Sequence, residues 1–391
     1  MKLSVAVIAD ALSLSWGGSE ELWSQTATRL VADGVSVAAS IGERSPVHER
    51  VRALIGSGVK VRPRPEWWPL WKRIGRRALH ARKMDSLIEI ERFLKAVQPD
   101  LVVHSTGMIL PPVEWLELCQ QKRLPFVTIG QANSESWWFD DEMAAKYRQV
   151  LPAAARCFFV SHANLRLVEK QIGAKLVNAG IVRNPFNVDF DFSPPWPSMG
   201  DTGELRLACV GRLDPISKGQ DILLEALSGE VWRSRPWRLL FYGNGPKKNI
   251  IERLVERLEL TGRVSLAGFV SRVEDIWTTN HVLIMPSRFE GLPLAMVEAM
   301  LCARPVVATD VAGHSEIVDD GVTGFLADAP TAASVARTLE RLWEVRHKLK
   351  VMGEAAAKSI RTKVPEDPVR EFSQEIQRLL STSPRARTRA N

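Results

Sequence analysis

The sequence is poor in cysteine, and its cysteines do not form short paired motifs. The four cysteines among the 391 residues are Cys119, Cys157, Cys209 and Cys302, with no C-x-x-C pair. This spacing argues against a disulfide framework and against a zinc site, so we expect a reducing compartment. The chain also has no apolar run near the roughly 18 residues that cross a bilayer, and we expect a cytoplasmic protein.

The N-terminal segment has only some features of a secretory signal. In MKLSVAVIADALSLSWGG, Lys2 precedes apolar residues, but Asp10 interrupts the apolar stretch and no clear cleavage site follows. We predict a buried strand followed by a loop here, with a secretory signal as the less favoured alternative.

Two common nucleotide-binding motifs are missing. The segment YGNGPKK, residues 242–248, has no third glycine at the G-x-G-x-x-G spacing, and no G-x-x-x-x-G-K occurs anywhere in the chain. These absences argue against a nicotinamide-dependent dehydrogenase and against a Walker-type site. We expect a turn before a helix at this point instead.

The overall composition is that of a basic, globular protein. Apolar residues make up 45% of the chain, charged residues 25%, and the formal net charge is +7. A basic chain favours anionic partners such as phosphorylated substrates, acidic lipid or nucleic acid. Nucleic acid is the weakest of these options, because no recognition motif accompanies the charge.

Strand-like and helix-like segments alternate along the chain. Compact apolar runs such as LSVAVIAD, DLVVHS, LRLACVG and HVLIMPS alternate with segments of helical periodicity. Such alternation predicts β-α-β units and a parallel sheet. The turn-rich segment FSPPWPSMGDTG, residues 192–203, interrupts the pattern and predicts a domain boundary.

We therefore predict an α/β protein with two doubly wound, Rossmann-like domains that face each other across a cleft. The first is expected at residues 1–190 and the second at residues 204–365, with a disordered basic tail at 381–391. In open α/β sheets, ligands bind beyond the carboxyl ends of the strands. The strand-to-helix loops are therefore the places to search for chemistry.

Two of these loops have the residues of a phosphate site. Gly17 and Gly18 in WGGSEE would allow close backbone approach before a helix N-terminus, although a plain turn is the alternative. Arg212 and Lys218 in VGRLDPISKGQDILLEAL flank a strand end and a helix start. Two cations there could clamp a diphosphate, although solvated surface charges are the alternative.

The segment RFEGLPLAMVEAM contains two glutamates with different surroundings. Glu290 lies in the loop after a predicted buried strand, and Glu298 lies on an apolar helix. A buried carboxylate is costly without a partner. The sequence leaves two partners open for Glu298: an internal arginine or lysine, or the hydroxyls of a bound sugar.

Three segments together resemble glycosyltransferase family 4. They are GRLDPISKGQDILLEAL, RFEGLPLAMVEAM and GHSEIVDDGVTGFL, within residues 205–345. The resemblance implies the GT-B fold and metal-independent transfer of a sugar from a nucleotide-sugar, with retention of anomeric configuration and without a cofactor. The N-terminal half matches only through WGGSEE and its strand alternation, and is similar to the family's acceptor-binding domain.

The resemblance also implies roles for individual residues. Glu290, Arg212 and Lys218 would be catalytic, with Glu290 holding the transferred sugar and the two cations holding the diphosphate. Glu298 would bind the donor ribose. The further donor-binding positions implied are Gly18, Val270 (in LAGFV, residues 266–270), Gly291 and Leu292. A C-terminal helix at about residues 368–380 would pack back on the N-terminal domain.

The N-terminal half departs from the family pattern. Where a histidine often follows the strand PFVTIG, this chain has Gly130 and Gln131. His104 is the nearest substitute by position, but Thr106 stands where a second histidine is frequent, and a core histidine is the favoured interpretation of His104. A catalytically silent nucleotide-sugar-binding scaffold is therefore the alternative to an enzyme.

Two further patterns concern metals and membranes. Asp189 and Asp191 form a D-x-D, which we interpret as part of a linker rather than as a metal site. Residues 60–83 are basic with interleaved tryptophans, which suits a helix packed on its own domain, an anionic membrane surface or an anionic acceptor such as a lipid phosphate, with the packed helix slightly favoured. The expected partners are a nucleotide-sugar donor and a sugar, lipid-linked or other hydroxyl acceptor, in a role such as polysaccharide biosynthesis.

Overall fold

The structure, a computed structural model, describes residues 2–9, 16–43, 48–65 and 76–382. The chain divides into two compact units, Met1–Pro185 with Asp367–Asn391, and Phe186–Glu366. The second unit begins earlier than the predicted residue 204. Residues 186–204, called the linker below, precede the first strand of that unit. They hydrogen-bond to the rest of the unit, which explains the earlier boundary.

The first unit is built on a parallel sheet. Its strands are β1 (Ser4–Ala9), β2 (Ser36–Glu43), β3 (Lys60–Pro65), β4 (Leu101–Ser105), β5 (Phe126–Gly130), β6 (Arg156–Phe159) and β7 (Ala179–Ile181). Its helices before the linker are α1 (Gly18–Ala32), α2 (Glu49–Gly56), α3 (Arg76–Val97), α4 (Val113–Gln121), α5 (Asp141–Val150) and α6 (His162–Ile172). Within the described ranges the strand order is β3-β2-β1-β4-β5-β6-β7.

The second unit repeats this arrangement. Its strands are β8 (Leu205–Val210), β9 (Trp237–Tyr242), β10 (Val264–Gly268), β11 (Val282–Met285), β12 (Val306–Thr309) and β13 (Gly324–Ala327). Its helices are α7 (Pro215–Lys218), α8 (Gln220–Leu227), α9 (Glu230–Arg233), α10 (Lys248–Arg257), α11 (Val273–Thr279), α12 (Leu294–Leu301), α13 (His314–Ile317), α14 (Ala332–Glu344) and α15 (Leu349–Lys363). The strands lie in the order β10-β9-β8-β11-β12-β13.

The prediction of two doubly wound parallel sheets is confirmed. All the strand pairs in both sheets, as far as the structure describes them, are parallel. In each sheet the strand order reverses beside the first strand, between β1 and β4 and between β8 and β11. Such switch points are where open α/β sheets bind ligands.

The last helix belongs to the first unit. Helix α16 (Pro368–Thr382) buries Phe372, Ile376 and Leu380 in the same apolar cluster as β1 and α1. The rings of Phe372 and Phe158 meet edge to face at 5.2 Å. This helix continues through residues 381 and 382, so the predicted tail begins too early. Residues 383–391 lie outside the described residues.

The basic segment at residues 60–83 is only partly described. Residues 60–65 form β3 and residues 76–83 belong to α3, while residues 66–75, with all three tryptophans, lie outside the described residues. The membrane prediction for this segment therefore stays a prediction. None of the helices in the described ranges is both long enough and apolar enough to cross a bilayer.

The linker before β8 is held against the second sheet by two buried side chains. Arg304, 1% exposed, donates to the carbonyl oxygens of Pro195 and Asn280, and its guanidinium lies 5.1 Å from the ring centre of Trp196. His281 accepts from the backbone N–H of Arg206 at 2.9 Å, and its other ring nitrogen lies 3.1 Å from the carbonyl oxygen of Pro197.

The burial of His281 predicts a pH-dependent stability. Burial lowers the pKa of His281 to about 4, from an ordinary value of 6.5. The unfolded chain therefore takes up a proton below pH 6.5 that the folded chain does not, and stability falls from pH 6.5 towards pH 4. The expected loss at this residue is up to about 3 kcal/mol.

Urea unfolding at pH 7.5, 5.5 and 4.5 measures this effect. Other buried histidines titrate in the same direction, so the comparison is between the wild type and His281→Asn. The variant is expected to lose less stability than the wild type across this range. Equal losses in the two proteins would contradict the assignment.

Candidate functional site

At the carboxyl edge of the second sheet, the loops that follow the strands hydrogen-bond to one another in pairs. The N–H of Gly243 donates to Gly268 at 2.7 Å, which links the loops after β9 and β10. The N–H of Arg288 donates to Ser217 at 2.8 Å, which links the loops after β11 and β8. These last two loops flank the switch point of the sheet, where a ligand is expected.

Lys218 and Glu290 are in direct contact at this switch point. Lys218 Nζ donates to Glu290 Oε1 at 2.5 Å, and Ser287 Oγ donates to the same oxygen at 2.9 Å. The side chains of Lys218 and Glu290 are 22% and 9% exposed. Two residues predicted from separate loops are therefore brought together by the fold, as an ion pair with its lysine partly accessible.

Arg212 lies on the same loop and is more accessible. Its guanidinium is 40% exposed and lies 3.1 Å from Asp214 Oδ2. Ser217 Oγ donates to the same carboxylate oxygen at 2.9 Å, and Gln220 Nε2 donates to the Arg212 carbonyl. The loop 211–218 is thus internally bonded and presents two cations beside β8.

Close backbone approaches explain the glycines of these loops. Gly219 has a φ of +64°, and a Cβ there would overlap the carbonyl oxygen of Pro286 in the neighbouring loop. A Cβ on Gly243 would overlap the carbonyl oxygen of Gly211. Since only glycine fits such contacts, the loops can pack closely enough to bring Lys218 to Glu290.

Glu298 has a partner that the sequence did not suggest. It lies on α12 and is 3% exposed. Its Oε1 accepts from the backbone N–H of Asn187 at 3.0 Å and from Asn187 Nδ2 at 2.8 Å. Burial raises the pKa of Glu298, while these hydrogen bonds oppose the rise. The internal cation considered for it is not among the contacts that the described residues make.

The remaining predicted donor residues surround this edge of the sheet. Gly291 and Leu292 are buried in the loop between β11 and α12, and Val270 is half-buried just beyond β10, two strands from β8. His314, which the sequence did not single out, is fully buried next to this loop. Its Nδ1 bonds to the Thr309 carbonyl at 2.7 Å, and burial lowers its pKa.

In the first unit, the carboxylate of Glu20 accepts hydrogen bonds from the predicted glycine loop. Gly18 begins α1, and the N–H of Gly17 donates to Glu20 Oε2 at 2.9 Å. Ser19 Oγ donates to the same oxygen at 2.8 Å. The N–H of Gly17 therefore bonds within the cap of its own helix, and the phosphate contact of Gly18 stays a prediction.

The departures from the family pattern have steric and packing reasons. A Cβ on Gly130 would lie 2.6 Å from the Ile109 carbonyl oxygen and 2.9 Å from the ring of Phe159, so a histidine does not fit. Next to it, Gln131 Nε2 donates to Asn184 Oδ1 at 3.2 Å, and Asn184 Nδ2 donates back to Gln131 Oε1 at 2.8 Å. A reciprocal amide pair therefore stands where the family often has a histidine.

His104 lies in the core of the first unit. It is 0% exposed, packs between Trp115 and Phe126, and has Nε2 3.4 Å from Cys119 Sγ. Burial lowers the pKa of His104 to about 3. Thr106 is also buried, at 4%. These positions fit the core interpretation of His104.

The D-x-D pair lies in the segment between β7 and β8. The N–H of Phe192 donates to the Asp189 carbonyl at 3.0 Å, which forms a turn. Asp191 is 93% exposed and lies 3.9 Å from Arg361. The described residues contain no group of three potential metal ligands, at this pair or elsewhere.

The carboxyl edge of the second sheet combines residues that can bind an anion with carboxylates that can accept hydrogen bonds. Lys218 and Arg212 can each donate to an oxyanion, and Arg212 can do so with two parallel N–H groups. Glu290 and Glu298 can accept from hydroxyl groups. A ligand with both phosphate and hydroxyl groups therefore matches the residue types present. The sequence analysis missed Asn187, because its contact with Glu298 spans 111 positions, and it also missed Ser287, although its contact with Glu290 spans only three.

Part of the chain is similar to known glycosyltransferases. Residues 204–345 match the family model described as Glycosyl transferases group 1. The chain is 31% identical over 150 residues to the alpha-D-kanosaminyltransferase of Streptomyces kanamyceticus, covering 38% of this chain and 39% of that protein. It is 30% identical over 187 residues to the D-inositol 3-phosphate glycosyltransferase of Gordonia bronchialis, covering 43% and 40%. The chain thus spans about two fifths of these relatives.

Two solved structures resemble nearly the whole chain. Anabaena Alr3699/HepE in complex with UDP has a TM-score of 0.71 and 19% identity, and covers 98% of this chain and 100% of that one. Sucrose-phosphate synthase from Thermosynechococcus elongatus has a TM-score of 0.73 and 17% identity, with the same coverage. At these identities the likeness supports the fold alone. The family match is thus confined to residues 204–345, while nearly the whole chain shares the fold of these structures, which is of the GT-B type.

Proposed function

We propose that the protein is a glycosyltransferase that moves a sugar from a nucleotide-sugar donor to a hydroxyl acceptor. The observation that carries the proposal is the Lys218–Glu290 pair at the switch point of the second sheet, inside the segment that matches the family. It combines a partly accessible cation with a carboxylate, the two groups that a sugar diphosphate requires. The acceptor is a sugar, a lipid-linked precursor or another hydroxyl compound.

Each residue of the edge then has a role in binding. Lys218 and Arg212 hold the diphosphate, and Glu290 accepts hydrogen bonds from hydroxyls of the transferred sugar. Glu298 accepts from the ribose. Backbone groups at Gly291 and Leu292 line the sugar site, and those at Val270 face the base. Gly18 is proposed as a phosphate contact through its own N–H, since the N–H of Gly17 bonds to Glu20.

The reaction places negative charge on the leaving diphosphate. The bond between the anomeric carbon and the phosphate oxygen breaks through an oxocarbenium-like state, and the acceptor oxygen forms the new bond. Lys218 and Arg212 stabilise the charge that develops on the leaving oxygen. That oxygen takes the acceptor proton. Retention of anomeric configuration and independence of metal follow the family resemblance and are part of the proposal.

A binding screen tests the donor site. The wild type is mixed with nucleotide-sugars, beginning with UDP-sugars because UDP is the ligand of the HepE structure. A donor that binds the folded chain raises its unfolding temperature. Glu298→Ala is expected to abolish this rise, because it removes the acceptor for the ribose hydroxyls. An undiminished rise in this variant would show that the ribose assignment is wrong.

Turnover distinguishes an enzyme from a silent binding module. Release of nucleoside diphosphate is measured with the donor found in the screen, with and without sugar and lipid-linked acceptors. An enzyme releases diphosphate in step with the formation of the glycosylated acceptor. A chain that binds donor but releases nothing with any acceptor would contradict the proposed activity.

A further inference from the structure

The carboxylate of Glu298 is held from one side only. Asn187 provides two donors, its backbone N–H at 3.0 Å and its Nδ2 at 2.8 Å, and both reach Oε1. In the part of the chain that the structure describes, no hydrogen bond reaches Oε2. One oxygen of this carboxylate is therefore saturated by protein, and the other is left to accept.

The two residues differ in exposure and in their place in the chain. Glu298 is 3% exposed on α12, whereas Asn187 is an exposed residue of the linker, 111 positions earlier. Two donors on one oxygen, one of them from the backbone, restrict rotation of the carboxylate about its last bond. A carboxylate fixed in this way offers its second oxygen in one direction, which is what a site for a single hydroxyl needs.

We propose that Asn187 is a positioning residue that holds Oε1 of Glu298 so that Oε2 accepts a hydrogen bond from a ribose hydroxyl of the bound nucleotide. This inference rests on the proposed function, and it adds a residue outside the segment that matches the family, which begins at residue 204. Asn187 acts through Glu298 and does not need to touch the ligand.

The charge of residue 187 is central to this role. Burial raises the pKa of Glu298, and the negative charge of Glu274 raises it further, while the two donors from Asn187 lower it. A neutral amide therefore favours the ionised carboxylate, which is the better acceptor. An aspartate at position 187 would replace one donor by a second negative charge and would oppose ionisation.

The test compares ligands that differ by one hydroxyl. Dissociation constants are measured by calorimetry for UDP, ADP and GDP and for their 2′-deoxy and 3′-deoxy forms, and the base that binds the wild type is used thereafter. Loss of the recognised hydroxyl is expected to weaken binding to the wild type by about 10-fold or more, because it removes a hydrogen bond to a charged group. In Asn187→Ala this ratio of dissociation constants is expected to fall to about 3-fold or less, since the side-chain donor is lost and only the backbone N–H of residue 187 still holds the carboxylate.

Asn187→Asp gives a readout that a merely structural role would not produce. At pH 8 the ratio of dissociation constants between the deoxy and the full nucleotide is expected to fall, as in the alanine variant. At pH 5.5 this ratio is expected to recover, because one proton shared by the two carboxyls restores a donor to Oε1. The ratio cancels the titration of the diphosphate itself. Asn249→Ala, an exposed asparagine on α10, is the matched control and is expected to keep the wild-type ratio.

The outcomes separate the two proposals. If none of the diphosphates binds the wild type, both the proposed function and the inference are overturned. If a diphosphate binds but Asn187→Ala keeps the wild-type hydroxyl ratio, the inference alone is overturned. Inorganic pyrophosphate, which has no ribose, is expected to bind the wild type and both variants equally, and weaker binding to the variants would mean that Asn187 acts on the diphosphate instead.

Discussion

Lys218→Ala is expected to reduce the release of nucleoside diphosphate by about 100- to 1000-fold. Removing one preorganised donor from a developing oxyanion costs about 2.7–4 kcal/mol in comparable sites. Lys218 is suited to this role because its ammonium is partly accessible and is held 2.5 Å from Glu290 Oε1. When the diphosphate binds, the same ammonium can bridge phosphate and carboxylate. The rate constant under saturating donor measures the effect.

A second lysine supplies the matched control for this experiment. Lys248 begins α10, is 56% exposed, and lies 3.7 Å from Glu252. Lys248→Ala removes the same charge from the same unit and is expected to keep the wild-type rate. Lys218→Ala also leaves Glu290 with Ser287 as its hydrogen-bond donor, so folding of both variants is checked by circular dichroism. A folded Lys218→Ala protein within 3-fold of the wild-type rate would contradict the role of Lys218 in the diphosphate site.

Arg304→Ala is expected to destabilise the second unit by about 4 kcal/mol. The guanidinium is 1% exposed and donates to carbonyl oxygens of Asn280 at 2.9 Å, Cys302 at 2.8 Å, Pro195 at 2.8 Å and Trp277. Truncation leaves these buried acceptors without a donor and opens a void beside Trp196. For a unit of this size, the unfolding temperature should fall by about 10 °C.

Two further arginine variants sharpen this result. Arg304→Lys keeps the charge but not the planar set of five donors, so it is expected to lose about half as much stability. Arg272→Ala removes an arginine that is 74% exposed, and is expected to change stability by no more than about 0.5 kcal/mol. Calorimetric unfolding of the three variants checks the order. A loss of less than about 1 kcal/mol in Arg304→Ala would mean that water replaces the guanidinium.

Much of the fold could be predicted from the sequence, because apolar periodicity follows directly from backbone geometry. LRLACVG and HVLIMPS contain β8 and β11, and the loops after them contain Arg212, Lys218 and Glu290. Since the carboxyl ends of parallel strands share one edge of a sheet, these residues could be expected at one site before any contact was known.

The partners of the site residues could not be predicted in the same way. Glu298 could have had an internal cation or a ligand, and it has Asn187, 111 residues away. Gly17 could have been free for a phosphate, and its N–H is taken by Glu20, three residues on. The second of these is a local contact that the sequence could have indicated, because a glutamate three residues after the N-cap commonly accepts from the N-cap N–H. The first depends on where the linker runs.

The sequence by itself determined the alternation of strands and helices, the placing of cations and carboxylates after particular strands, and the similarity of residues 204–345 to the glycosyl transferases group 1 model. Tertiary structure alone decided that Lys218 meets Glu290 across 72 residues, that Asn187 holds one oxygen of Glu298, and that Gly130 has no room for a side chain. The physical reason is the sequence separation of the interacting residues. Periodicity and turn chemistry are properties of neighbours in the chain, whereas hydrogen-bond partners and steric space are set by segments that packing alone brings together.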